Sequence, residues 1–212
     1  MRTNAISAGI ILLSFFIGIV SYSYMPDMMP MHWNAQGEID GYMGKLWGLF
    51  MSPMISLGLF ALFLVIPKLD PRRSNLESFK EYYQGIILVI VGFLFYVYIL
   101  TILSAIGYKF NMVQAMSISF AVLFYYIGIV LKKTKSNFFV GIKTPWTLSD
   151  EKVWEKTHDL GGKLFKISGI IAFFGALFKE VAIFLMIIPI IVASIFIYIY
   201  SYLEYAKIHK GK

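Results

Sequence analysis

The sequence predicts an all-α integral membrane protein in which six transmembrane helices form a compact bundle. Hydrophobic residues make up 58% of the 212 residues, and several apolar runs approach the length of about 20 residues that crosses a bilayer. Nearly all lysine and arginine residues lie in the short connections between these runs or near the two termini. This pattern is typical of a multi-pass protein of the cell membrane. No connection is long enough for a separate soluble domain, so we predict one membrane domain.

The six predicted spans are residues 5–24, 47–66, 85–106, 112–131, 164–178 and 181–202. They divide the chain into an N-terminal helical hairpin (1–66), a second hairpin (67–131), a cytoplasmic motif loop (132–163) and a C-terminal hairpin with a basic tail (164–212). The fifth span is short, but Lys163 and Lys166 can snorkel toward the headgroups and lengthen it. One helix over residues 167–202 would be about 54 Å long, far beyond the bilayer, so we predict a turn at Lys179-Glu180.

The distribution of positive charge predicts the orientation of the chain. Sixteen of the nineteen lysine and arginine residues lie on one side, and only Lys45, Lys109 and Lys179 lie on the other. By the positive-inside rule, both termini are therefore cytoplasmic. The net charge of +7 reflects this topology and an affinity for anionic lipid, and we predict no nucleic-acid partner because there is no basic soluble domain. The absence of cysteine excludes disulfides and thiol catalysis.

The first outer loop, residues 25–46, is rich in proline, glycine and polar residues, which predicts a compact, turn-built cap on the outer face. The residues expected to contact a ligand are Asp27, Pro30, His32, Trp33, Asn34, Glu38 and Asp40. A divalent metal held by His32 and the carboxylates is an alternative, but one histidine among carboxylates differs from the closely spaced ligands of a zinc site. We expect no metal or other cofactor, and we expect these side chains to organise the loop itself.

The second polar passage, residues 141–158, reads G-I-K-T-P-W-T-L-S-D-E-K-V-W-E-K-T-H and joins the fourth and fifth spans. Thr144-Pro145 ends any helix that arrives from the membrane, because proline disfavours the helical conformation in its predecessor and has no N–H to donate. Thr147 lies three residues before Asp150, which is the spacing of a capping box. This spacing predicts that Thr147 caps the next helix.

That next helix begins near Ser149 and is short and amphipathic. It is expected to end at Gly161-Gly162 and to lie in the headgroup layer, where Trp146 and Trp154 anchor it. The residues expected to form a signalling motif are Lys143, Thr144, Pro145, Trp146, Thr147, Ser149, Trp154, Thr157 and His158.

Both polar passages resemble a known family. The outer string M-P-D-M-M-P-M-H-W-N-A-Q-G-E-I-D-G-Y resembles a DUF1648-type element. The inner string F-F-V-G-I-K-T-P-W-T-L-S-D-E-K-V-W-E-K-T-H-D-L-G-G resembles the signature of the SdpI family of bacterial and archaeal membrane proteins. Together they cover about a fifth of the chain, in the order and six-helix layout of that family.

The resemblance implies a membrane protein that confers immunity to a secreted peptide toxin. It also implies a toxin-sensing receptor that recruits a transcriptional repressor to the cytoplasmic face of the membrane. Lys143 departs from the family pattern, in which arginine is common at this position. Lysine keeps the positive charge but lacks the planar fork of a guanidinium, which puts a bidentate contact at this position in doubt.

Two other classes of function stay open on the sequence alone. A small-solute or ion transporter normally needs ionisable groups near the membrane midplane, but only Gln84, Gln114 and hydroxyl residues supply polar side chains there. A metal-dependent membrane hydrolase would use His32 or His158 beside carboxylates as a general acid or base. The sequence contains no nucleophile elbow, H-E-x-x-H or paired intramembrane aspartates. We therefore predict a binding protein and not an enzyme.

Overall fold

The computed structural model describes residues 2–210, which form an α-helical bundle with one small β-hairpin. The helices are α1 (Arg2–Ser21), α2 (Lys45–Leu69), α3 (Arg73–Ser78), α4 (Lys80–Ala105), α5 (Met112–Leu131), α6 (Pro145–Ser149), α7 (Glu151–Phe174) and α8 (Ala182–Ile208). A 3-10 turn, Tyr22–Tyr24, follows α1. Strands β1 (Met28–Trp33) and β2 (Ile39–Gly44) pair antiparallel. The structure is mostly helical, as expected of an α-helical membrane protein, but the outer cap adds two strands that were not predicted.

The helices that are long and apolar enough to cross a membrane are Arg2–Tyr24, Lys45–Leu69, Lys80–Ala105, Met112–Leu131 and Ala182–Ile208. These five helices coincide with five of the six predicted spans. The remaining predicted span, residues 164–178, corresponds mostly to the second half of α7. Charged residues crowd the first half of α7, so this helix is not among the five, and a count of six spans stays a prediction.

One end of the bundle, called the outer end here, gathers three connections of the chain. The Asn111 side-chain amide donates to the Gln36 carbonyl at 2.6 Å, which joins the connection between α4 and α5 to the β-hairpin. The Gln114 amide donates to the Ala176 carbonyl at 2.7 Å, which joins the start of α5 to the turn after α7. The three connections that the charge pattern placed on the outer side therefore meet at one end.

The opposite end, called the inner end here, gathers the remaining connections. The Asn75 amide of α3 donates to the Ser136 carbonyl at 2.7 Å. Lys156 near the start of α7 forms an ion pair with Glu204 of α8 at 2.7 Å. The predicted grouping of the connections on two sides is therefore reproduced by the contacts between them.

Helices α5 and α7 pack with their backbones in close contact. A Cβ atom at Gly128 would lie 2.7 Å from the Gly162 carbonyl oxygen, and one at Gly169 would lie 2.7 Å from the Tyr125 amide nitrogen. Small residues allow such an approach between membrane helices. The prediction of a short helix that ends at Gly161-Gly162 is wrong, because these glycines lie inside the continuous 24-residue helix α7. Their lack of a side chain serves packing and does not end the helix.

Candidate functional site

The outer cap is a β-hairpin closed by a side-chain-stabilised turn. The Asn34 side-chain oxygen accepts hydrogen bonds from the Gln36 and Glu38 amides at 3.0 and 2.9 Å. Gly37 adopts a φ of +80°, a conformation that glycine takes without steric cost. This turn allows the flanking residues to pair as strands, which explains why an interpretation based on turns alone missed them. Pro30 of β1 is buried and pairs with Tyr42 of β2.

The charged side chains of the hairpin contact one another at its surface. His32 Nδ1 lies 2.5 Å from an Asp40 carboxylate oxygen, and both side chains are exposed. The Asn34 amide donates to the Glu38 carboxylate at 3.1 Å. Asp27 lies apart from them and accepts a hydrogen bond from Lys45 at 2.8 Å, which lowers the pKa of the Asp27 carboxyl. Within residues 2–210, no group of three or more potential ligand side chains is arranged to hold a metal ion.

Below the hairpin lies an apolar cleft of about 800 Å³, called the subhairpin cleft here. Trp33 and His32 line it from above. Helices α4, α5 and α8 form its walls, with Met116 and Ile187 among the lining residues. The sequence did not reveal this cleft, because its walls come from helices that are distant in the chain and individually resemble ordinary membrane spans.

At the inner end, the capping residue differs from the predicted one. Thr144 caps α6, since its hydroxyl accepts from the Thr147 amide at 3.1 Å while the Thr147 hydroxyl accepts from the Thr144 amide at 2.9 Å. Pro145 follows at the first helical position, where its missing N–H costs nothing.

Asp150 then caps α7 by accepting from the Lys152 and Val153 amides. The predicted helix start was close, but the prediction of a Thr147 cap was wrong.

The aromatic core of the inner motif is buried inside the protein. The Trp154 and His158 rings stack with centroids 3.9 Å apart, and the Trp154 indole donates to the Thr134 carbonyl at 3.1 Å. The Ile142 amide donates to His158 Nε2 at 2.9 Å, and His158 Nδ1 lies 2.8 Å from the Trp154 carbonyl oxygen. A Cβ at Gly141, where φ is +125°, would lie 2.5 Å from Nε2. Trp154 is therefore a packing residue and not a membrane anchor.

The other predicted residues of the inner motif lie around this core. Trp146 packs against Tyr198 and Tyr202 of α8, with ring centroids 5.4 and 5.1 Å apart. Lys143 is exposed and donates to the carbonyls of both Phe138 and Phe139 at 3.2 Å. An ammonium therefore reaches two acceptors without the planar fork of arginine. 

The last two predicted residues, Ser149 and Thr157, differ in burial and in hydrogen bonding. Ser149 is exposed, and its hydroxyl donates to the Pro145 carbonyl at 2.6 Å. Thr157 is fully buried, and its hydroxyl has no hydrogen-bond partner among the described residues. A buried hydroxyl without a partner is costly, so Thr157 is a position at which the native packing accepts a penalty.

Two buried polar residues that the sequence analysis missed hold the inner loop in shape. The Asn137 side chain bonds the backbone at four points: it donates to the Lys135 and Val140 carbonyls and accepts from the Phe139 and Val140 amides. Asp70, at the end of α2, accepts from the Phe138 amide at 3.0 Å. The only local signal was a polar residue beside a turn, which does not distinguish a buried organiser from a solvated side chain.

A polar pocket of about 510 Å³ opens beside this loop. The inner loop lines it with three lysines, and α7 lines it with three carboxylates. These residues are Lys132, Lys133 and Lys135, and Glu151, Glu155 and Asp159. Asp159 accepts hydrogen bonds from Lys163 at 2.6 Å and Lys132 at 3.1 Å, which lower the pKa of its carboxyl. Two charges of this pocket, Lys132 and Asp159, are therefore already paired within the protein.

The fold and the two motif-bearing ends define the class of this protein. Residues 133–201 match the SdpI/YfhL protein family, and residues 9–57 match the domain of unknown function DUF1648. These matches confirm that the chain resembles the SdpI family. The long apolar helices fit a multi-pass membrane protein. The chain is also 26% identical over 213 residues to the protein named Immunity protein SdpI of Bacillus subtilis (strain 168), and the alignment covers 100% of both chains. No solved structure matches the chain. The SdpI immunity family is not a known enzyme family.

Acidification should destabilise the protein through His158. Burial lowers its pKa from the ordinary value of 6.5 to about 4, and Nε2 must stay unprotonated to accept from the Ile142 amide. The unfolded chain therefore binds more protons between pH 6.5 and 4, so stability is complete above pH 6.5 and falls across this window. The loss is on the order of 3 kcal/mol at most. Thermal unfolding of the purified protein from pH 7 to pH 4 measures it.

The matched control is His158→Gln, whose side-chain oxygen can accept from the Ile142 amide without titrating. This variant should unfold at a lower temperature at pH 7 and show a much smaller pH dependence. An equal decline in the two proteins would show that His158 does not cause it.

Proposed function

We propose that this chain protects its cell against a secreted peptide toxin by binding it at the outer end of the bundle. The observation that carries the proposal is the end-to-end alignment with an immunity protein, which includes both the hairpin and the inner motif. The exposed His32 and Asp40 pair and the cleft beneath it support a binding role. No specific observation in the described residues favours the transporter or the hydrolase.

We further propose that the outer end faces the exterior and both termini face the cytoplasm. Sixteen of the nineteen lysine and arginine residues belong to the inner end and the terminal segments, which supports this orientation. Exposed lysines of the inner end, such as Lys152, would then lie near anionic lipid headgroups.

A second part of the proposal is that binding outside is reported inside, where a cytoplasmic repressor is recruited. Asn111 supports this role because it contacts the hairpin and also caps α5 by accepting from the Gln114 amide at 2.9 Å. Gln114 in turn contacts Ala176, just after α7. Helix α7 then runs back to the inner motif. A displacement of the hairpin thus has a short, hydrogen-bonded route to α7.

Apart from the half-buried Trp146, the residues of the inner motif fall into an exposed group and a buried group. Lys143, Pro145 and Ser149 are exposed and would contact a repressor directly. The buried residues are Thr144, Thr147, Trp154, Thr157 and His158. They would act by holding the surface in one shape, so their substitution should alter recruitment through the position of α6 and α7.

Expression of this chain should restore survival to a Bacillus subtilis strain that lacks its SdpI protein and grows beside toxin-secreting cells. His32→Ala should lower survival because it removes the partner of Asp40. Tyr42→Ala, which removes another exposed side chain of the same hairpin, is the matched control and should retain survival. Immunoblots of membranes give the amount of each protein. A wild-type chain that is present in the membrane but gives no survival contradicts the immunity proposal.

Coupling between the two ends should be visible as a fluorescence change. An environment-sensitive dye on Lys152→Cys, in this cysteine-free chain, should shift when toxin-containing supernatant is added to membranes. Gln114→Leu should abolish the shift, because leucine cannot donate to Ala176, while survival is retained. Ser119→Ala is the control, since the Ser119 hydroxyl bonds only within α5. A shift that persists in Gln114→Leu would remove this route from the mechanism.

A further inference from the structure

The subhairpin cleft has the size and lining of a site for an apolar ligand. Its volume of about 800 Å³ lies within the range of small-ligand pockets. The walls are apolar and include Met112, Met116, Phe120, Phe124, Met186 and Ile187. Methionine side chains are flexible and polarisable, so walls rich in methionine adapt to irregular apolar groups. 

The hairpin above this cleft, called the rim here, is acidic. The hairpin, residues 25–44, contains three carboxylates and no lysine or arginine. Asp27 is already paired with Lys45. The other two, Glu38 and Asp40, contact the cleft-lining residues Asn34 and His32 at 3.1 and 2.5 Å. Glu38 and Asp40 do not line the cleft themselves, but they lie beside two of its lining residues. Neither carboxylate is paired with a lysine or arginine among the described residues.

We infer that the subhairpin cleft seats an apolar segment of a peptide, with a cationic side chain of that peptide at Glu38 and Asp40. This inference rests on the proposed function and names the site and the chemistry of its ligand. Charge complementarity selects the occupant. A phospholipid acyl chain would also fit apolar walls, but an anionic phospholipid would bring its net negative charge near the same carboxylates and be repelled.

Two adjacent residues of α8 allow the cleft to be separated from the general lipid-facing surface. Ile187 lines the cleft, whereas Ile188 does not. Their exposed fractions are similar, 42% and 51%, and they lie at nearly the same depth in the membrane. Because the chain contains no cysteine, Ile187→Cys and Ile188→Cys each carry a single thiol.

The experiment uses each full-length variant in phosphatidylcholine nanodiscs. The probes are two synthetic peptides of alternating leucine and alanine with one central cysteine, one ending in two lysines and the other in two glutamates. Disulfide formation under mild oxidation is followed by gel mobility. The lysine peptide should cross-link to Ile187→Cys several times faster than to Ile188→Cys. The glutamate peptide should cross-link to Ile187→Cys more slowly than the lysine peptide does.

Neutralising the rim should reduce the preference for the lysine peptide. Glu38→Gln keeps an acceptor for Asn34 and removes one charge, so cross-linking at Ile187→Cys should slow by about threefold, as expected for a partly exposed ion pair. Equal cross-linking rates at Ile187→Cys and Ile188→Cys overturn the inference. The peptide would then have no preference for the cleft over the lipid-facing surface of α8. If both peptides prefer Ile187→Cys to the same extent, the carboxylates of the rim play no part in binding. This result overturns the proposed cationic contact and identifies the cleft as a site for apolar chains, including lipid.

Survival assays distinguish a failure of this inference from a failure of the proposed function. Ile187→Trp fills the cleft and should lower survival, whereas Ile188→Trp places the same bulk toward lipid and should not. If the wild-type chain gives survival that both variants retain, immunity stands and the cleft is not its site. If cross-linking behaves as expected but no chain gives survival, the cleft binds such peptides and the immunity proposal fails.

Discussion

The close contact between α5 and α7 is the constraint on which the rest of the structure depends. At Gly128, Gly162 and Gly169 the two backbones approach so closely that a Cβ atom would collide with the neighbouring helix. Backbones in contact cannot slide without losing many small dispersion contacts at once. Because α7 begins at the inner motif and ends beside Ala176, this contact sets the position of both ends relative to α5.

The two ends use this framework in different ways. Local hydrogen bonds hold most of the buried polar groups of the inner end: Asn137 closes the loop, and a neutral His158 accepts from the Ile142 amide. The outer end leaves charged groups such as Asp40 in solvent above an apolar cleft. A rigid, internally satisfied end suits the presentation of a fixed surface to a partner, whereas an exposed polar hairpin above an apolar space suits capture of an amphipathic ligand.

The helical class, five spans and the positions of the two motifs could be predicted because hydropathy and charge are local properties of the sequence. The course of α7 could not, since Gly161-Gly162 has the same local propensity whether it ends a helix or allows close packing. The capping residue of α7 was missed for a similar reason: Thr147 and Asp150 both have side-chain oxygens that suit an N-cap. Thr147 instead belongs to the separate helix α6, which Thr144 caps, so Asp150 caps α7. The cleft is formed by three helices from different parts of the chain, so no local sequence pattern predicts it.

The proposed roles of the two ends require that these ends face opposite compartments, with the hairpin outside. In this cysteine-free chain, the exposed positions Gln36→Cys and Lys152→Cys can be treated with a membrane-impermeant maleimide in intact cells. We expect Gln36→Cys to be labelled in intact cells and Lys152→Cys to be labelled only after the membrane is permeabilised. Labelling of Lys152→Cys in intact cells, with Gln36→Cys protected until permeabilisation, would reverse the orientation and contradict the proposed roles of both ends.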